Sequence, residues 1–247
     1  MKIAVRVIVF FGLALALTML LGGLQEAAGI SYSLVTLPQW GPGLAALLML
    51  LLFRRDGLRL SLGLRGVRPV LLLGALLAPA AVGVVLFILL RPAAAALPAP
   101  WWAMLPGMAL GALGEELGWR GYLHKRVDPH LRPLLSSALV GVLWALWHVG
   151  LYQNGPVYML FVVILMIAYS LVLYALIART GFNVWVAALF HLGINVANLP
   201  FYGLINEPRF MIANALVWVV VAAVVVVVRR DLFLGPVSSP PAATRNA

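Results

Sequence analysis

The chain has 247 residues, of which 64% are hydrophobic and only 10% carry a charge. A soluble globular domain carries about 25% charged residues, so this composition excludes one and indicates an integral membrane protein. The formal net charge is +10, but the basic residues lie at the ends of apolar runs, which predicts contact with the lipid bilayer and no nucleic-acid partner.

Eight apolar segments approach the length of about 20 residues that a helix needs to span a bilayer. In chain order they are residues 7–24, 34–53, 69–90, 101–123, 134–152, 156–177, 181–200 and 211–228. We therefore predict an all-α, polytopic membrane protein with about eight transmembrane helices. They form a single membrane-embedded helical domain, residues 1–230, and the polar end of the chain, residues 231–247, is expected to be a disordered cytoplasmic tail.

The basic residues predict how these helices are oriented. Alternate loops and ends place fourteen Lys and Arg residues on one side of the membrane and only Arg91 and Arg209 on the other. Cytoplasmic loops carry an excess of Lys and Arg, so both termini are predicted to be cytoplasmic. The N-terminus also resembles a signal peptide, but its apolar run is long enough to span, and we expect it to remain as the first helix.

Five strongly polar ionisable residues fall inside the predicted spans. They lie on the fourth, fifth and seventh helices and are Glu115, Glu116, Arg120, His148 and His191. Such residues cost several kcal/mol to insert into a bilayer and usually face a cavity, pair with each other or carry function. They therefore define the candidate site.

Helix geometry assigns different roles to the two glutamates. Glu116 and Arg120 are four residues apart and can form an ion pair on one face, whereas Glu115 lies about 100° away. A stripe of five glycines on the same helix permits close approach of a neighbouring backbone. These are Gly107, Gly111, Gly114, Gly118 and Gly121. A tightly packed helix with one buried charge cluster would explain these features, but it would leave Glu115 unpaired.

The histidines lie in two further motifs. Trp144 precedes His148 by one helical turn, and His191 shares a helix face with Asn195. Counting 1.5 Å per residue from the cytoplasmic ends brings Glu115, His148 and His191 to similar depths. An asparagine in a membrane helix often only bonds a neighbouring helix. Two other histidines, His124 and His130, lie in a basic loop and are expected to be solvated at the interface.

This set of residues suggests a hydrolytic site. The chain has no cysteine and no GxSxG motif, which leaves water as the nucleophile. A buried carboxylate helped by a histidine can act as a general base, and N–H donors from His191 and Asn195 could stabilise an oxyanion. Alternatively, Glu115, His148 and His191 could bind Zn²⁺, although the HExxH motif is absent. The spacing of the residues leaves both alternatives open.

In their order along the chain, EExxxR (residues 115–120), Wxxx-His (144–148) and HxxxN (191–195) resemble the motifs of the CPBP family, which comprises CAAX-type proteases and bacteriocin-processing enzymes, also called Abi proteins. The resemblance covers about residues 101–200. It implies an eight-helix intramembrane endopeptidase that opens towards the cytoplasm. We expect the enzyme to need no cofactor, although members of the family were historically labelled metalloproteases.

When the roles of the family's motif residues are carried over to the matching positions of this chain, each motif residue receives an expected role. Glu115 would activate water with His148 as its partner, and His191 with Asn195 would form the oxyanion hole. Glu116 and Arg120 would support the site. Trp144 stands where the family often has phenylalanine, which preserves an aromatic wall but changes the shape of the pocket.

We expect a multi-pass protein of the bacterial cytoplasmic membrane whose partner is a peptide or protein substrate at the membrane. Two other classes of function remain open. A proton-coupled transporter could use Glu115, His148 and His191 as a relay, but no internal repeat of the kind found in many transporters is evident. A non-catalytic scaffold or immunity factor could also retain these motifs.

Overall fold

The computed structural model describes residues 2–234, and over that range the chain is helical except for its loops and one isolated β-bridge between Ser61 and Asn183. Ten α-helices follow one another in the described range. They are α1 (Ile3–Ala27), α2 (Gly41–Leu52), α3 (Pro69–Leu90), α4 (Trp101–Glu116), α5 (Lys125–Val127), α6 (Pro133–Trp147), α7 (Pro156–Ile177), α8 (Val184–Ala197), α9 (Pro208–Val228) and α10 (Arg230–Phe233). The all-α prediction is confirmed.

One of these helices continues into a π-helix, and others are followed or preceded by short 3₁₀ segments. A π-helix, Leu117–His124, extends α4 without a break and gives one helical segment over most of the predicted fourth span. The 3₁₀ segments are Leu37–Trp40, Arg54–Asp56, Asp128–His130, Val149–Asn154, Ala178–Thr180 and Leu199–Leu204. Three of them adjoin the ends of α2, α6 and α8, which are therefore shorter than the predicted spans.

Within residues 2–234, four helices are long and apolar enough to cross a membrane: α1, α3, α9 and the segment Pro156–Thr180, which includes α7. Shorter apolar helices cover Leu37–Leu52, Pro133–Trp147 and Val184–Ala197. Large apolar side chains such as Ile8 and Val227 are exposed on the outside of the bundle, where lipid can cover them. The protein is a multi-pass integral membrane protein, while eight crossings and cytoplasmic termini stay predictions.

Contacts between loops define two ends of the bundle. At one end, which we call the basic end, Arg6 and Arg126 both pair with Asp56. This end comprises residues 2–6, 53–68, 125–132, 178–183 and 229–234. At the other end, which we call the opposite end, the hydroxyl of Tyr158 donates to the carbonyl of Ile205 at 2.7 Å. The opposite end comprises residues 23–36, 91–100, 148–155 and 198–209.

The glycine stripe of α4 and its π-helix makes the close approach that its spacing predicts. A Cβ at Gly118 would lie 2.5 Å from the backbone of Pro42, and one at Gly107 would lie 1.8 Å from the carbonyl oxygen of Leu34. Gly111 and Gly114 face the same part of the chain. The stripe therefore brings residues 34–43 against the helix that carries Glu115 and Glu116.

Substituting Gly118→Ala is expected to cost about 1–3 kcal/mol of stability, since the added methyl group meets backbone that cannot rotate away. Gly12→Ala is the matched control, because a Cβ at Gly12 meets nothing within 4 Å. Thermal unfolding in detergent micelles measures both variants. Equal melting temperatures for the two variants would contradict the close packing.

Two expectations need correction. His124 was expected to be solvated, but its side chain is fully buried between the rings of Tyr174 and Phe182, because the π-helix continues through residue 124 and turns the ring inwards. His130 is exposed, as expected. Disorder was predicted from residue 231, whereas α10 is helical to Phe233, whose ring is buried against Tyr174. Residues 235–247 of the predicted tail lie outside the described residues.

Candidate active site

The indole of Trp144, near the end of α6, joins the polar residues of three helical segments. Its N–H group donates to Glu115 Oε2 at 2.7 Å, and its ring centroid lies 5.4 Å from that of His191. The guanidinium carbon of Arg120 lies 4.0 Å from the indole centroid. His148 Nδ1 lies 2.8 Å from the carbonyl oxygen of Trp144. The three sequence motifs therefore meet around one aromatic side chain.

Glu115 is only 1% exposed. Besides the indole N–H on Oε2, it accepts a hydrogen bond at Oε1 from Gln39 Nε2 at 2.8 Å. A carboxylate has about four acceptor positions, so these two neutral donors orient the group and leave other lone pairs free. Glu115 is thus held in place without a cationic partner of its own among its hydrogen bonds.

Gln39 was not among the predicted site residues. It belongs to the 3₁₀ segment Leu37–Trp40, and a Cβ at Gly111 would lie 1.9 Å from its Oε1 atom. A polar side chain inside the apolar run 34–53 was the available signal. The run alone did not show which helix Gln39 faces, since that depends on the close approach along the glycine stripe.

Glu116 is the centre of a separate, fully buried network. Its Oε1 atom accepts from Arg120 Nη1 at 2.9 Å and lies 2.9 Å from His191 Nδ1. Arg120 Nη2 donates to Ser170 Oγ at 3.0 Å, which links the network to α7. The predicted ion pair between Glu116 and Arg120 is confirmed, and its contact with His191 ties α8 to the same carboxylate.

The partners of the two histidines indicate which ring nitrogen carries a proton. A carbonyl oxygen only accepts, so His148 Nδ1 is assigned as the donor to Trp144, which leaves Nε2 of a neutral ring as an acceptor. By the same argument His191 Nδ1 donates to Glu116. His191 Nε2 is then a donor only in the doubly protonated ring.

Two adjoining cavities border the site. The larger, about 680 Å³, is lined by Glu115 and His148, and the smaller, about 240 Å³, is lined by Asn195. Both are lined by Tyr32, Thr36 and Gln39. The structure therefore brings Glu115 and His148 to one cavity and places Asn195 in the neighbouring one, with Gln39 at the boundary.

The larger cavity is also lined by residues at or near the opposite end of the bundle, including Glu26, Tyr32 and Gly150. The N-terminus lies at the basic end, where Arg6 pairs with Asp56. Two of our expectations are therefore incompatible in this structure. If the termini are cytoplasmic, the site cannot also open towards the cytoplasm.

The geometry gives no support to the zinc alternative. Among residues 2–234, no group of three His, Cys, Asp or Glu residues is arranged to hold a metal ion. The oxygens of Glu115 face Gln39 and Trp144, and His191 Nδ1 faces Glu116. The expected ligands Glu115, His148 and His191 are thus oriented by hydrogen bonds to other groups.

Comparison with known families agrees with the motifs. Residues 97–197 match a family model described as type II CAAX prenyl endopeptidase Rce1-like. This range contains every residue to which we assigned a role, and the match confirms the resemblance found from the sequence.

Curated relatives extend the similarity beyond that range. Lysostaphin resistance protein A of Staphylococcus haemolyticus is 24% identical over 212 residues, which cover 79% of this chain and 57% of the relative. Lysostaphin resistance protein A of Staphylococcus aureus (strain bovine RF122 / ET3-1) is 26% identical over 204 residues, which cover 76% and 48%. The chain spans about half the length of the curated relatives it matches.

Proposed function

We propose that the protein is an intramembrane endopeptidase acting on membrane-associated peptides or proteins, since residues 97–197 match a family model described as type II CAAX prenyl endopeptidase Rce1-like. The observation that supports this most strongly is the environment of Glu115. Its carboxylate is buried, oriented by two N–H donors, and lines a cavity of about 680 Å³ together with His148. A buried base beside a cavity large enough for a peptide segment suits hydrolysis.

In the proposed reaction Glu115 removes a proton from water, and the water oxygen attacks the carbonyl carbon of the scissile peptide bond. The tetrahedral intermediate carries a negative charge on the former carbonyl oxygen. It collapses when the C–N bond breaks and the leaving nitrogen receives the proton that Glu115 had taken. His148 Nε2, free to accept a hydrogen bond, orients the water. General-base catalysis of this kind typically contributes about 10²–10⁴-fold.

The oxyanion would be stabilised by His191 and Asn195. Asn195 lines the smaller cavity, whereas Glu115 lines the larger one. A peptide carbonyl group can reach Glu115 and Asn195 at once only near the boundary between the two cavities. The scissile bond would therefore lie beside Gln39. Glu116 and Arg120 act through His191, because Arg120 holds Glu116, and Glu116 accepts from His191 Nδ1 and so orients the ring, whose Nε2 donates to the oxyanion in the doubly protonated form.

A quenched fluorogenic peptide library, incubated with the purified protein in detergent micelles, tests the proposed function. We expect cleavage that is lost or strongly reduced in His148→Ala and in His191→Ala. His130→Ala is the control, because His130 is exposed outside the site. Cleavage that persists unchanged in both site variants would show that the activity does not arise from these residues.

Trp144→Phe is expected to lower kcat by about 5–10-fold, since the ring is retained but the N–H that orients Glu115 is lost, at a typical cost of about 1–1.5 kcal/mol. Trp185→Phe is the control. It loses a similar bond, from its indole N–H to the carbonyl oxygen of Leu62 at 2.9 Å, and Trp185 lines neither of the two cavities. Steady-state kinetics should show a fall in kcat for Trp144→Phe alone. An equal fall in kcat in both variants would mean that the lost activity does not come from the bond to Glu115.

We propose that the reaction needs no metal ion. Activity is expected to survive treatment with EDTA and 1,10-phenanthroline, and elemental analysis of active protein is expected to find much less than one zinc per chain. The geometric reason is that Glu115 and His191 are already oriented by other groups. One equivalent of zinc, with activity lost on chelation and restored by added Zn²⁺, would instead establish the zinc mechanism.

A further inference from the structure

Three of the α-helices that border the candidate site are too short to cross the bilayer by themselves. α2, α6 and α8 have 12, 15 and 14 residues. At 1.5 Å per residue they are about 18–23 Å long, compared with a hydrocarbon core of about 30 Å. Each has one end at the basic end of the bundle. Towards the opposite end each adjoins a 3₁₀ segment: Leu37–Trp40, Val149–Asn154 or Leu199–Leu204.

Backbone that leaves the α-helix at membrane depth must be buried in protein or line a water-filled cavity, since lipid cannot satisfy its polar groups. All three 3₁₀ segments contribute lining residues to the cavities, for example Gln39, Gly150 and Leu199. The exposed side chain of Glu26 lies at the larger cavity, where a charged group needs water. The lining of both cavities therefore extends towards the opposite end of the bundle.

The charge of the two ends differs strongly. Thirteen of the Lys and Arg residues in the described range belong to the basic end. They are Lys2, Arg6, Arg54, Arg55, Arg59, Arg65, Arg68, Lys125, Arg126, Arg132, Arg179, Arg229 and Arg230. The opposite end has only Arg91 and Arg209, balanced by Glu26 and Glu207. Under the positive-inside rule the basic end faces the cytoplasm.

We propose that the cavity holding Glu115 and His148 opens on the extracytoplasmic side of the membrane. The segment that enters it then belongs to an exported or surface-exposed chain rather than to a cytosolic chain end. The claim that this segment is cleaved rests on the proposed function. The direction in which the cavity opens rests only on helix lengths, cavity lining and charge.

The absence of cysteine from the chain allows the direction to be measured by thiol labelling. Gly23→Cys and Gly150→Cys place a thiol at the opposite end, where Gly150 lines the larger cavity together with Gly23. Gly63→Cys reports on the basic end, and Gly12→Cys on the lipid-facing side of α1. All four glycines are exposed and have nothing within 4 Å of an added Cβ, so the variants are expected to fold.

Intact cells that express each variant are treated with a membrane-impermeant, charged thiol reagent before and after permeabilisation. We expect Gly23→Cys and Gly150→Cys to react at least about 10-fold faster than Gly63→Cys in intact cells, and Gly63→Cys to react fully only after permeabilisation. Gly12→Cys is expected to stay unreactive in both, since a thiolate does not form in lipid. Labelling of Gly63→Cys in intact cells, with cavity thiols that react only after permeabilisation, would overturn the proposal.

A second measurement separates this inference from the proposed function. Sealed right-side-out vesicles are given a charged fluorogenic peptide from outside, with Glu115→Gln vesicles as the control. Cleavage before detergent is added supports both proposals. Cleavage only after detergent overturns the outward opening and leaves the peptidase intact. If the thiol labelling has the expected pattern but no peptide is cleaved under any condition, the peptidase proposal is overturned and the outward opening stands.

Discussion

Glu115→Gln is expected to lower kcat by about 10²–10⁴-fold, the usual contribution of a general base. The amide has the same shape as the carboxylate but cannot take a proton from water. KM should change much less, because the residue acts on the attacking water rather than on peptide binding. Steady-state kinetics with a peptide selected from the library measure both constants.

The matched control for this substitution is Glu26→Gln, which removes the other carboxylate that lines the larger cavity. Glu26 is exposed, whereas Glu115 is buried, so the control changes cavity charge without removing the proposed base. We expect it to keep most of the activity. If Glu115→Gln, with an unchanged melting temperature, retained kcat within a few fold of the original, Glu115 would not be the base.

Arg120→Met is expected to cost about 3–5 kcal/mol of stability, the usual consequence of leaving one partner of a buried ion pair uncompensated. Glu116 and Arg120 are both fully buried. Glu116 would lose its guanidinium partner and Ser170 would lose a donor, which leaves His191 as the remaining hydrogen-bond partner of Glu116 Oε1 among residues 2–234. Chemical or thermal unfolding in micelles measures the loss.

Arg179→Met is the control for that experiment. Arg179 also pairs with a carboxylate, Asp231 at 2.8 Å, but the two side chains are 70% and 55% exposed. Exposed ion pairs contribute little, because water and salt screen them. We expect almost no change in stability for Arg179→Met. Similar losses in both variants would contradict the interpretation of the Glu116 network as a buried, structure-determining pair.

Features that depend on spacing within one helix were predictable from the sequence. The ion pair between Glu116 and Arg120 follows from a separation of four residues, and the close approach at Gly107 and Gly118 follows from the glycine stripe. The all-α membrane fold follows from composition. The ion pair has its whole cause in the local sequence, whereas the glycine stripe predicts a close approach without identifying its partner, residues 34–43.

Features that depend on contacts between helices were not predictable in the same way. The hydrogen bond from Gln39 to Glu115 joins residues 76 positions apart, and the bond from His191 to Glu116 joins residues 75 apart. Burial of His124 depends on the π-helix and on rings from other helices. The hydropathy of a segment does not show where its α-helix changes to 3₁₀, so the predicted spans were longer than α6 and α8.

The most direct test of the central claim is an experimental structure of the protein in a lipid environment with a bound, non-cleavable peptide. The account predicts the scissile carbonyl at the boundary of the two cavities, its oxygen within hydrogen-bond distance of His191 or Asn195, and a water between its carbon and Glu115. A peptide bound elsewhere, with Glu115 still enclosed by Gln39 and Trp144 and out of reach of any peptide bond, would contradict it.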